Sequence, residues 1–136
     1  MFVAKTLSLF NGVSLEGELL VVDKPLSFFG DVNYEGKIIN SELSCYGEKI
    51  ANKILVIPHG RGSTVGSYIL YSLAERKIGP KAILSLHPDT VVLVGCIISN
   101  IPYAYNVSRE LLNSSYNKKK ASVNFIKRKA CIEILD

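Results

Sequence analysis

No Cys-x-x-C pair occurs among the three cysteines of this chain, Cys45, Cys96 and Cys131. Their odd number and wide spacing argue against a disulfide framework and for buried apolar side chains in a reduced compartment. They would ligate an iron–sulfur cluster only if the fold gathered them. The two histidines, His59 and His87, lack the spacing of a metal pair, and each is expected to be structural or on the surface. No apolar run is long enough to span a bilayer. The longest, Val91 to Ile98, is broken by Gly95. Met1-Phe2-Val3-Ala4 lacks the charged start and apolar middle of a secretion signal, so a cytoplasmic location is expected, with no membrane partner.

What is present fits one α/β domain. The chain has 136 residues, of which 48% are hydrophobic, enough for a real core across residues 1–136. Its net charge of +4 gathers in Lys118-Lys119-Lys120 and Lys127-Arg128-Lys129. No recognition motif or stacking aromatic accompanies these residues. They are therefore expected to be solvated segments that blunt a sheet edge, not a nucleic-acid patch.

The organising stretch is Ile54 to Tyr68, I-L-V-I-P-H-G-R-G-S-T-V-G-S-Y. Ile54-Leu55-Val56-Ile57 predicts a buried strand, ended by Pro58. A glycine-rich turn follows, and then apolar residues at helical spacing predict a helix from about Thr64 to Lys77. Basic residues and Gly79-Pro80 should stop it. Ala82-Ile83-Leu84-Ser85 predicts a second buried strand, parallel to the first in a β-α-β unit.

Elsewhere the pattern is of short strands. They are expected at residues 2–9, 16–22, 37–39 and 102–105, with a closing hairpin from 123–126 and 131–135. Leu26 to Val32 is expected to be a loop whose paired Phe28 and Phe29 either anchor it or line a site. One helical turn is expected at Ser108 to Asn113. Residues 90–99 are divided: β-branching favours a strand, whereas a cap at Asp89 or Thr90 and an apolar face at Val91, Val94, Gly95 and Ile98 favour a helix. The expectation is a helix, and the sheet is expected to be mixed.

Three readings compete for Gly60-Arg61-Gly62-Ser63-Thr64. In the first, Ser63 or Thr64 caps the helix and the glycines make the turn. In the second, the turn cradles an anion, though the lysine of a nucleotide-hydrolysing phosphate loop is missing. In the third, Ser63 is a base or nucleophile. Its alkoxide would be stabilised by the helix N-terminus, by N–H groups near Gly62 and Thr64, and by Arg61.

Four segments together carry a family resemblance. They are Pro25-Leu26-Ser27-Phe28-Phe29-Gly30-Asp31-Val32, Gly36-Lys37-Ile38-Ile39, Pro58 to Tyr68, and Gly79-Pro80-Lys81-Ala82-Ile83. In order and spacing they resemble the small, swivel-domain subunit of aconitase X, over roughly Gly12 to Val107. The resemblance implies a swivelling β/β/α domain with a mixed sheet, like the mobile fourth domain of aconitase. It implies a heterodimer whose large subunit, not this chain, holds an iron–sulfur cluster and most contacts to a phosphorylated hydroxy-acid substrate. The implied reaction removes water from (R)-5-phosphomevalonate to give trans-anhydromevalonate 5-phosphate, in isoprenoid synthesis. The family's proton-accepting serine falls on Ser63, with Arg61, Gly62 and Thr64 beside it. Relatives commonly have tryptophan at the place of Phe29 and a His-Pro pair near Ser44-Cys45, so that second loop is assigned no role. The alternatives are another dehydratase of this group, such as one acting on hydroxyproline, and a non-catalytic module that binds an anion for regulation.

Overall fold

The computed structural model describes residues 1–135. Its centre is a run of strands buried along their whole length. β3 (Ile54–Ile57) and β4 (Ala82–Ser85) have no exposed residue, as expected of parallel strands covered on both faces. They pair in parallel, with Ile54 opposite Ala82 and Ile57 opposite Ser85. β2 (Ser14–Val21) changes character along its length. Its first half alternates in burial and pairs antiparallel with β6 (Lys120–Ile126). Its last three residues, Leu19, Leu20 and Val21, are buried and pair in parallel with β3. β5 (Tyr103–Tyr105) lies parallel to β4, and β7 (Lys129–Ile134) forms the closing hairpin with β6.

The sheet is mixed, as expected, but it has no edge for the basic residues to blunt. β1 (Phe2–Thr6) pairs antiparallel with both β5 and β7, so the order β1-β5-β4-β3-β2-β6-β7 closes into a barrel. Closure gives every strand a neighbour on both sides, which is a fuller answer to edge pairing than charge. Lys118–Lys120 and Lys127–Lys129 are exposed around the β6–β7 hairpin instead.

Two crossovers carry the helices. α2 (Val65–Glu75) joins β3 to β4, and α3 (Thr90–Ser99) joins β4 to β5. α2 ends earlier than its composition suggests. Lys77 takes the left-handed conformation (φ 62), Ile78 N–H reaches Leu73 O and Lys77 N–H reaches Ala74 O, which is a Schellman stop ahead of Gly79-Pro80. The divided segment 90–99 is a helix. Asp89 caps it by accepting from Val92 N–H at 3.0 Å, and left-handed Asn100 closes it. The helices lie close because Gly95 leaves no room: a Cβ there would stand 3.0 Å from Leu70 Cδ2.

Two local expectations change. Lys37–Ile39 is not a strand; only the single bridges Val32–Ile38 and Lys37–Lys49 form, because the turns on either side leave no partner of useful length. The loop Leu26–Val32 contains one helical turn, α1 (Phe28–Asp31), capped by Ser27, whose Oγ accepts from Gly30 N–H at 3.1 Å.

Candidate functional site

After β2 and β3 end, their chains stay together for one more step. Leu26 N–H donates to His59 O at 3.1 Å, and Arg61 N–H donates to Leu26 O at 3.0 Å. This short continuation sets α1 beside the glycine turn. Gly60 is buried between the turn and α3, where a Cβ would lie 2.7 Å from Val92 Cγ2 and 3.2 Å from both Asp89 carboxylate oxygens. Gly62 has φ +103, and a Cβ there would meet Ser27 Oγ at 3.1 Å. Both positions therefore require glycine, one for room and one for conformation.

The turn delivers Ser63 exposed at the start of α2. Its Oγ accepts from Val65 N–H at 3.3 Å, and its carbonyl accepts from Gly66 N–H at 3.1 Å. Thr64 stands at the N-cap position and makes no capping bond with its side chain. Among the described residues, the N–H groups of Gly62, Ser63 and Thr64 have no acceptor. Three free donors at the positive end of an 11-residue helix make a place for negative charge. A cavity of about 110 Å³ opens here, lined by Leu26, Phe28, Gly60, Arg61, Gly62 and Asp89 among others.

Arg61 is not the unattached cation that its position beside Ser63 suggests. Its Nη2 donates to both oxygens of Asp31, at 3.1 and 3.3 Å. The Asp31 side chain is 3% exposed and that of Arg61 is 52% exposed. Asp31 was missed in the sequence because nothing in F-F-G-D announces a carboxylate turned inward. The signal that could have found it is its place four residues after Ser27: Ser27 N–H donates to Asp31 Oδ2 at 2.9 Å, closing the turn that Ser27 caps. Phe28 meets both readings, buried as an anchor while it lines the cavity, whereas Phe29 is 65% exposed and outside that lining.

The histidines stay out of this arrangement. Their rings are 6.2 Å apart, His59 Nδ1 lies 2.6 Å from Gly60 O, and neither bonds to Ser63. The thiols do not suit a cluster. Cys45 and Cys96 are buried, and burial pushes the Cys45 thiol up to about 11 and the Cys96 thiol further in the same direction. Among the described residues no three His, Cys, Asp or Glu side chains gather as metal ligands. No helix there is long and apolar enough to cross a membrane.

The sequence profile of the aconitase X swivel domain matches residues 4–134. The chain belongs to the aconitase X swivel-domain family. This swivel domain is similar to the phosphomevalonate dehydratase small subunit of Pyrococcus horikoshii, 52% identical over 96 residues, which covers 70% of this chain and 72% of that one. It is 38% identical over 110 residues to the phosphomevalonate dehydratase small subunit of Methanococcoides burtonii, covering 80% of each. Its fold matches the crystal structure of aconitase X from Thermococcus kodakaraensis in the holo form, with a TM-score of 0.84, 39% identity and 98% of both chains covered.

Proposed function

We propose that this swivel domain is the small subunit of a two-subunit dehydratase acting on (R)-5-phosphomevalonate, with Ser63 as proton acceptor. The observation that carries the reading is Ser63 itself, exposed at a helix N-terminus beside three N–H groups without acceptors, in a chain whose relatives bear the name phosphomevalonate dehydratase small subunit. A serine hydroxyl is a weak base because its alkoxide is unstable in water. Fixed donors and a helix dipole lower the cost of that alkoxide without any reorganisation at the moment of reaction. In this reading Ser63 takes the proton from C2, beside the substrate carboxylate. The C–H electrons form the C2–C3 double bond and the C3 hydroxyl departs, so that one molecule of water is lost overall. The exposed edge of Arg61 and the N–H groups of Gly62 and Thr64 hold substrate or alkoxide charge. Among the described residues no set of side chains gathers to hold an iron–sulfur cluster, and the reading assigns that group to the large subunit.

A second feature supports a partner. α3 carries no charged residue from Thr90 to Ser99, although Val94, Ile97 and Ile98 are exposed. With Tyr68 on α2, Val94 and Ile98 border a largely apolar groove of about 330 Å³ that Thr64 also lines. A surface helix ordinarily turns a polar face outward, and an apolar face of this kind marks an interaction site. A large subunit seated there would stand directly beside Ser63.

Co-expression with the large subunit, followed by an oxygen-free dehydration assay on (R)-5-phosphomevalonate, tests the reading. Turnover by the complex that disappears in Ser63→Ala, with assembly intact, is expected. Full activity of that variant overturns the assignment of Ser63, and an inactive wild-type complex overturns the substrate.

A further inference from the structure

The reading above leaves one buried ionisable group without a task. Asp31 is 2% exposed and sits in α1, joined to the serine turn by its ion pair with Arg61. All its partners are donors. Oδ1 accepts from Asn40 Nδ2 at 3.0 Å and from Arg61 Nη2 at 3.1 Å. Oδ2 accepts from Ser27 N–H at 2.9 Å and from the same Arg61 nitrogen at 3.3 Å. Such a set suits an ionised carboxylate, which accepts only.

Asp31 reaches the turn by two routes. Directly, it holds one nitrogen of Arg61; among the described residues Nε and Nη1 of that guanidinium have no partner and remain available. Indirectly, it holds Ser27, and Ser27 Oγ is the atom against which Gly62 packs, 3.1 Å from where a Cβ would stand. Arg61 and Gly62 are the two residues before Ser63, and the Arg61 main chain is tied to Leu26 at 3.0 Å. The chain entering the serine is thus held at its main chain by the Leu26 carbonyl and at the Arg61 side chain by one buried carboxylate.

We propose that Asp31 is a positioning residue for this reaction: it orients the Arg61 guanidinium, with one nitrogen occupied and its other edge presented to the substrate, and it fixes the Gly62–Ser63 turn through Ser27. The inference rests on the reading of Ser63 as the base. A displacement of about 1 Å at a reacting group lowers rate by about a hundredfold, so a side chain that sets the place of both Arg61 and Ser63 matters to turnover without touching substrate.

The test uses heterodimers purified with the large subunit and carrying Asp31→Asn, Arg61→Lys, or both. Asp31→Asn keeps the size but replaces one acceptor oxygen by an amide that faces donors. The expected result is a fall in kcat/KM of about ten- to a hundredfold for Asp31→Asn. The double variant is expected to be no slower than the slower single variant, because two residues acting as one unit are not additive. Amide exchange across residues 59–65 of the complex should quicken in Asp31→Asn. Activity of Asp31→Asn within twofold of wild type, or losses that multiply in the double variant, would overturn the inference. If Asp31→Asn yields no complex, Asp31→Ser, which removes the charge and leaves room for water, is read by the same criteria. A dead Ser63→Ala complex beside a fully active Asp31→Asn complex sinks only the positioning role. A fully active Ser63→Ala complex sinks the reading beneath it.

Discussion

Adding one methyl group at Gly60 should disturb both the stability of the domain and the place of its serine. The Cβ of Gly60→Ala would lie 2.7 Å from Val92 Cγ2, against an ordinary carbon–carbon contact of about 3.5–4.0 Å. The overlap is about 1 Å. Val92 is 2% exposed and packed in the core, so it has nowhere to retract. The Asp89 oxygens stand 3.2 Å away, and Oδ1 is committed to capping α3 by accepting from Val92 N–H. The strain must fall on the turn or on the start of α3. Overpacking of this kind costs about 1–3 kcal/mol. For a domain of this size each kcal/mol lowers Tm by about 4 °C, so the melting point should drop by about 4–12 °C. If the turn is what yields, Ser63 moves by a good part of an ångström, and kcat of the complex should fall by about a hundredfold. Calorimetry on the isolated chain and single-turnover dehydration by the heterodimer read the two effects separately. A Gly60→Ala chain that melts within 1 °C of wild type and turns over normally would refute the claim that the turn is wedged against α3.

Other consequences follow from the same geometry. Ser63→Ala should lower stability by less than about 1 kcal/mol, since the exposed hydroxyl gives up only a 3.3 Å bond from Val65 N–H; thermal melting beside the activity assay separates a lost base from a lost cap. Burial raises the Cys45 thiol from its ordinary 9.0 to about 11. The unfolded chain therefore sheds this proton first. Stability should be intact below about pH 9 and decline as pH rises toward 11, and Cys45→Ala should flatten that decline in a urea titration series. Ile98→Asp and Val94→Asp place charge on the uncharged outer face of α3; they should weaken capture by the purified large subunit at least tenfold while leaving Tm nearly unchanged, and equal affinity would clear that face of the role.

Much of this protein is legible locally. Four apolar residues before Pro58 are the buried strand β3, and Ala82–Ser85 is its parallel neighbour. The segment 90–99 shows how such a reading is decided. Its β-branched residues lean toward a strand, but the Asp89 cap and the left-handed Asn100 bracket one helix, and an end that satisfies its own backbone groups outweighs a modest propensity. Gly62 and Ser63 stand out in the sequence for the same reason: a positive φ and a helix start are properties of a few consecutive residues.

Composition and spacing, with the four motifs that carry the family resemblance, thus determined the α/β class, the strand–turn–helix and the serine at its hinge. Tertiary structure alone decided that the sheet closes, because β1 meets β7 only when residues near opposite ends of the chain come together, as Phe2 does with Ile132. It alone decided that Arg61 is shared with Asp31, and that Ser27 stands under Gly62. Those contacts join segments about thirty residues apart, and no periodicity in either segment encodes them. They arise because β2 and β3 pair in parallel register and carry whatever follows each strand to the same end of the barrel, where a buried carboxylate must find its donors.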